Sequence, residues 1–485
     1  MNRIYVWGVI VITILLFSLF KYFYPYPNMV MDSYVYIKAA ALHMSANSAP
    51  IGYSWFLRAF SFFSRSAYLL VMVQYFFLEF SCAVLFFTLL HLFHLSRLFS
   101  TILFIFLFCN PLFLYLSNFV MSDSLFTAIS VLWITQLIWI ICAPRTYMIL
   151  VHTLLIFLAF TVRYNALYYP LFASIVLLVI RLKVWQKITA ILLQFVLIVL
   201  FIFHVKNSMF PMTKVRQFPP LCGWQMANNV MYMYGHVDRN TKGTVPDQFS
   251  ILDSVVRHYF DSAGHVEDIL DYSAEAHGFY YMASNGSPLN YYFHWQYGYD
   301  SVFQDLTKRG PASILFTGYA KYLILKYPVQ YIRYWAIPNG IRYFYPPTEI
   351  FSMISPYIMR RDAFGGMATE LLDVKTLMVR SGLIGFRTTI LNYYSMFFML
   401  LNLLFLLLFA GFFFLGGFKN ISKSHTYVLI SIALLWCCNL FFSAMVSCCV
   451  LRYEVFIMIM IFSFTSLLLD FIYRMNSTSK GKFLF

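Results

Sequence analysis

Acidic side chains are scarce in this sequence. Nineteen Asp and Glu stand among 485 residues, and only five of them, Asp32, Glu79, Asp123, Glu454 and Asp470, fall outside residues 207–387. Charged residues of both signs make up 11%, against roughly 25% in a soluble domain, while 61% are hydrophobic and the mean hydropathy is +0.72. That excludes an ordinary soluble globule and points to an integral membrane protein with many helices. Metal-ligating patterns are missing too. The eight cysteines form no CxxC pair, and the 11 histidines form no HExxH or His-x-His pair. Cys82, Cys109, Cys142, Cys437 and Cys438 therefore read as packing residues inside apolar runs. Cys222 stands alone in the long polar segment, and Cys448 and Cys449 stand near a span end. No basic patch interleaved with aromatics carries the net charge of +15. This disfavours nucleic acid as a partner and favours membrane lipids with anionic headgroups. There is no internal repeat and no low-complexity tract, and the first apolar stretch lacks a small-residue cleavage site, so it reads as a retained span.

Aromatic residues are abundant at 21%, with 37 Tyr and 54 Phe, and many of the Tyr fall near span ends, as an interfacial belt requires. Ten spans are predicted, over 4–23, 67–90, 98–117, 121–142, 147–162, 165–181, 188–206, 388–418, 426–447 and 453–473. With the N-terminus inside, the inner loops hold Arg97, Arg145, Arg181, Lys183, Lys187, Lys419 and Lys423, and the tail holds Arg474, Lys480 and Lys482. This satisfies the positive-inside rule and places 24–66, 118–121, 163–164, 207–387 and 448–452 outside. The predicted fold is an all-α membrane protein, a polytopic bundle with amphipathic helices in its first loop and a mostly helical outer domain. Four parts follow: a membrane module over 1–206, an extracytoplasmic or interfacial domain over 207–387, C-terminal membrane helices over 388–474 and a tail over 475–485. The outer segment holds 14 acidic and 16 basic residues and is nearly neutral. Its part 247–278 is polar with a helical pattern. Its part 311–344 is apolar but carries Lys321, Lys326, Arg333 and Arg342, which favours amphipathic helices at the interface over an extra pair of spans.

Charge in the outer loops carries the candidate chemistry. Asp32 follows the first span and precedes a short amphipathic helix. Its carboxylate can cap that helix or serve as a base facing a membrane cavity. Tyr36 and Lys38 follow on the same stretch, and Pro50-Ile51-Gly52-Tyr53 with Arg58 forms a second short helix. Asp123 opens the fourth span at Ser122-Asp123-Ser124, where N-capping is again the alternative. Two arginines break the positive-inside rule. Arg163 stands at the tip of a tight hairpin and Arg452, beside Tyr453, in the last outer turn. Each can snorkel to lipid phosphates or offer a planar, permanently charged fork to a bound phosphate; Arg452 can also pair with Glu454 or another acid. Glu79, mid-span, must be protonated, paired or lining a polar cavity. Asp470, near the inner end of the last span, reads as solvated. His91, His94, His236, His258, His265, His277 and His294 are scattered and suggest no metal site.

The order of these elements resembles the C superfamily of membrane glycosyltransferases, which use polyprenyl-phosphate sugars and include protein O-mannosyltransferases and the lipid A aminoarabinose transferase. The resemblance covers residues 1–206 and the final Arg452-Tyr453. It implies inverting transfer of a sugar from a polyprenyl-phosphate donor to a lipid, glycan or protein acceptor. Asp32 would be the general base, and Asp123 would support the acceptor or orient the site. Arg163 and Arg452, with Lys38 and Tyr36, would bind the donor phosphate, and Tyr53, Arg58 and Tyr453 would position substrate. A phosphate leaving group needs little protonation, so a base and nearby positive charge suffice. The implied location is a bacterial inner (plasma) membrane, with the site facing the periplasm. No cofactor is assigned, and a divalent cation is compatible with the site. Neither acidic loop carries an Asp-x-Asp pair, and His294-Trp295-Gln296-Tyr297-Gly298 differs from the Trp-Trp-Asp-Tyr-Gly signature of oligosaccharyltransferases. The absence of a nucleotide-binding motif argues against a nucleotide-sugar donor. Two rivals stay open, a membrane glycan polymerase or ligase and a flippase or transporter of lipid-linked sugars; the unequal front and back modules disfavour transport.

Overall fold

Apolar runs of membrane length leave the backbone no water to bond, so helix is the spanning form open to them here. The computed structural model describes residues 2–25, 27–238, 242–262, 278–298, 305–348, 371–372 and 384–478, and among them it is all-α. Eight stretches are long and apolar enough to cross a membrane. Six are single helices near the N-terminal half or at the C-terminus: α1 (Asn2–Phe23), α4 (Ala67–Phe93), α7 (Ser122–Cys142), α10 (Val184–Thr213), α18 (Ile384–Phe414) and α19 (Lys423–Met445), numbered in chain order. A seventh, the last, is α20 (Leu451–Thr478). The eighth, expected as one helix over 98–117, is broken into α5 (Arg97–Phe108) and α6 (Pro111–Asn118). Pro111 lacks an N–H and cannot continue a helix ladder. Asn110 caps the new start, accepting from Leu112 N at 3.0 Å, and takes the Tyr394 hydroxyl at 2.6 Å. Two apolar helices are shorter, α8 (Tyr147–Val162) and α9 (Tyr169–Val179), joined by a 3₁₀ turn over Tyr164–Tyr168.

The first loop forms α2 (Met31–Ala41) and α3 (Gly52–Ser61), as its pattern predicts. The middle of the chain forms α11 (Cys222–Tyr234), α12 (Ser250–Ser262), α13 (Tyr280–Ala283), α14 (Pro288–Tyr297), α15 (Leu306–Lys326), α16 (Pro328–Tyr331) and α17 (Ile337–Phe344), with a π turn at Ile332–Ala336. His265 and His277, and much of the polar stretch 247–278, lie outside the described residues.

Burial divides these helices between two apolar cores. One gathers buried residues from Phe17 to Met209 together with Tyr343 to Phe471, so the C-terminal helices complete the same core as the N-terminal ones. Phe106 of α5 stacks on Phe462 of α20 with ring centroids 3.7 Å apart. The second core runs from Trp224 to Ala336. Asn339 of α17 ties it to the first. Its amide donates to Ser443 O at 2.8 Å and Ser447 O at 2.5 Å, and its oxygen accepts from Cys449 N at 3.0 Å. Tyr331 donates to Met445 O at 2.8 Å, and Asn229 to Val446 O at 3.0 Å. The turn between α19 and α20 is thus held by the middle segment. At the far end of α20, Asp470 is fully buried rather than solvated. It accepts from Ser96 N at 3.3 Å and pairs with Arg474 at 2.5 Å, one helical turn on; a carboxylate without water must find such partners.

Candidate active site between the two cores

Two loops that are distant in sequence meet through backbone bonds. Asn28 forms a parallel bridge with Phe119, its N–H donating to Asn118 O at 2.8 Å and its carbonyl accepting from Val120 N at 3.0 Å. The bridge brings the first turn of α2 beside the first turn of α7. Gln74 of α4 fixes the same junction from below. Its amide donates to Ser117 O at 2.8 Å and Phe119 O at 3.1 Å, and its oxygen accepts from the Tyr53 hydroxyl at 2.5 Å. Lys21 at the end of α1 donates to the Asn118 side chain at 2.7 Å. One buried glutamine therefore positions α3, the 117–119 loop and, through Ser124 Oγ donating to Gln74 O at 3.3 Å, α7.

Asp32 and Asp123 both fall in the first turns of their helices, but neither is the capping residue. Val30 and Met121 occupy those positions. The Val30 N–H is met instead by Ser33 Oγ at 3.0 Å. Both carboxylates still lie at helix N-termini, where the helix dipole favours negative charge. Two guanidiniums balance them. Arg163, in the turn after α8, forms an ion pair with Asp123. Arg452, in the first turn of α20, lies 3.5 Å from an oxygen of Asp32 and 3.6 Å from one of Asp123. Both guanidiniums lie against the Tyr453 ring, at 4.2 Å for Arg163 and 4.6 Å for Arg452. Burial alone would pull the Arg163 guanidinium down; the Asp123 carboxylate beside it more than offsets this, and the net shift is upward. Glu454 does not take Arg452; it accepts from Ser443 Oγ at 3.3 Å.

The four charged groups sum to zero, yet they differ sharply in access. The Asp123 side chain is 3% exposed, that of Arg452 5% and that of Arg163 12%, whereas Asp32 is 57% exposed. Asp32 faces a cavity of about 1410 Å³ that lies between the two cores. Tyr36, one turn after Asp32, is buried behind it. Its hydroxyl bonds Ser122 Oγ at 3.1 Å and its ring meets the Tyr53 ring edge-on at 5.0 Å. Burial is the main reason the Tyr36 phenol is pushed up to about 12, with Arg163 opposing and Asp32 adding to the shift. Burial likewise drives Tyr53 well above its usual value. Both therefore keep their protons and act as hydrogen-bonding struts.

Of the residues singled out in sequence, the structure gathers Asp32, Asp123, Arg163, Arg452, Tyr453, Tyr36 and Tyr53 into one cluster, and it places Lys38 on the cavity wall. Arg58 sits on the last turn of α3, half-buried and outside the cavity lining. Four cavity cations were not assigned to the site in sequence: Lys206, Arg216, Arg309 and Lys321. Lys206 ends an apolar run and the other three belong to a segment whose charges nearly cancel in sum, so averaging concealed them. Among the described residues no group of three or more His, Cys, Asp or Glu could hold a metal ion. No family model, curated protein or solved structure matches this chain.

Proposed function

We propose that the protein is a membrane glycosyltransferase that moves a sugar from a polyprenyl-phosphate donor to an acceptor with inversion, Asp32 serving as general base. The observation that carries this reading is the exposure of Asp32. It is the one carboxylate of the cluster that opens on the cavity, while Asp123 beside it is buried and paired. A base must reach the proton it removes. In the reaction, the acceptor oxygen attacks the anomeric carbon as Asp32 takes its proton. The bond from that carbon to the phosphate oxygen breaks, and the lipid phosphate leaves. Lys38, one and a half turns along the same helix, supplies positive charge on the cavity wall, and Arg163 and Arg452 hold the carboxylates and add to the local field.

The reading extends to topology. With α8 and α9 counted as short crossings the chain has ten spans, the N-terminus and the basic turns lie in the cytoplasm, and 207–387 forms an outer domain. The exposed apolar residues Val329, Ile332, Ile337 and Ile341, on helices bonded to the end of α19, support an interfacial position for α16 and α17. The site would then face the periplasm of a bacterial inner membrane. Incubation of the purified protein with labelled polyprenyl-phosphate sugars and envelope extract tests the function. Label should pass to a new acceptor with the wild type and not with Asp32→Asn of equal thermal stability; transfer at the wild-type rate by that variant sinks the base assignment. Movement of lipid between leaflets without any new glycosidic bond would favour a flippase.

A further inference from the structure

Charged side chains from several elements line the cavity. Asp32 and Lys38 belong to α2, whereas Lys206 comes from the last turns of α10, Arg216 from the loop that follows it, and Lys321 from α15. Among the described residues one other acid lines the space, Asp305, and its charge is engaged: it pairs with Lys308 at 3.4 Å and caps α15 through Thr307 N at 3.2 Å. Among the described residues, Lys206, Arg216 and Lys321 have no acid at ion-pairing distance. Like charges from separate elements that line one cavity repel one another, and a bound anion relieves that repulsion. We propose that these cations form a second binding subsite of the cavity, one that takes a phosphate-bearing amphiphile as the acceptor. The assignment rests on reading Asp32 as the reacting carboxylate.

Space and surface chemistry support it. Ligand pockets commonly measure about 300–1,000 Å³, and the cavity, at about 1410 Å³, has room beyond one headgroup. The same cavity lining includes apolar Met212, Phe218, Trp224 and Ile314, as an acyl-bearing molecule needs. It adjoins the ends of two membrane-length helices, through Met212 of α10 and Phe442 of α19. The wall is also built rather than incidental. Gln217 donates to Thr317 Oγ1 at 2.7 Å and accepts from Ser313 Oγ at 2.7 Å, and Gly223 N donates to Ser313 Oγ at 3.0 Å. Arg309 is packed between the rings of Trp224 and Phe293, at 4.6 Å and 4.7 Å. These contacts fix α11 and α15 against the loop that carries Arg216.

Binding tests this without any turnover. The full chain in detergent is titrated with dioctanoyl phosphatidic acid, dioctanoylglycerol and inorganic phosphate. Saturable binding of phosphatidic acid is expected, weakened at least about tenfold in Lys206→Gln/Arg216→Gln/Lys321→Gln, as loss of charge-assisted contacts implies. Lys419→Gln, remote from the cavity, should bind as the wild type does. Equal binding of dioctanoylglycerol overturns the anion requirement, and equally tight inorganic phosphate overturns the amphiphile. Should the triple variant misfold, Lys321→Gln with rescue by Lys321→Arg decides the same point; an unweakened Lys321→Gln overturns the subsite. Phosphatidic acid binding without sugar transfer would leave the subsite standing and remove the transferase reading. Transfer with unweakened binding in the triple variant would do the reverse.

Discussion

Asp123 shows how burial changes the value of an ion pair. With its side chain almost wholly out of solvent and its partner Arg163 nearly so, the pair has given up hydration that only mutual contact offsets. Arg163→Ala should therefore destabilise the fold by about 1–3 kcal/mol, because Asp123 loses its nearest partner and keeps only Arg452 at 3.6 Å. Thermal unfolding in detergent measures this, and Asp123→Asn/Arg163→Gln should recover much of the loss. If the single variant unfolds at the wild-type temperature, the pair is not structural. The scarcity of acids made Asp32 and Asp123 legible in sequence, and the inverted charge rule did the same for Arg163 and Arg452. Their mutual pairing was not legible, because each partner lies on a different helix and no local spacing records it. The difference in exposure between the two aspartates follows from packing, so the division between an open and a buried carboxylate became visible only in three dimensions.

At the level of elements, the site depends on a polar hub inside an apolar bundle. Gln74 is 1% exposed and binds α3 and the 117–119 loop at once. Gln74→Leu keeps the volume but removes its partners' bonds. It orphans the Ser117 carbonyl and the Tyr53 hydroxyl, whereas Phe119 O keeps the Met121 N–H at 2.9 Å; the cost is about 1–3 kcal/mol for each buried group left unsatisfied. The expected result is a lower melting temperature, with transfer impaired beyond what the stability loss explains. Unchanged activity at a temperature well below melting would show that the junction does not set the position of Asp32. Most apolar helices were foreseen because length and hydropathy dictate them. The break at Pro111 was not, since a continuous apolar run masked the proline signal. Gln74 itself was overlooked for a related reason: one amide in a 27-residue apolar helix reads as noise until its three partners are known.

Across the whole molecule, the first core needs both ends of the chain, and so does the charged cluster. Chains ending before Leu451 lack Arg452 and the helix that Asp470 anchors. Such chains should be cleaved rapidly by added protease, whereas co-expression with the 451–485 segment as a separate peptide should restore resistance. Equal resistance of the shortened chain would show that α20 is dispensable to the fold. The four-part division of the chain was drawn from hydropathy alone, which could not reveal that the last helices share a core with the first. The same feature bears on how the protein is made. During synthesis Asp32 and Asp123 emerge first and Arg163 soon after, so the growing chain holds one negative charge too many until the final helix arrives. Charge neutrality at the cluster is thus a late event, reached only when the last helix is in place.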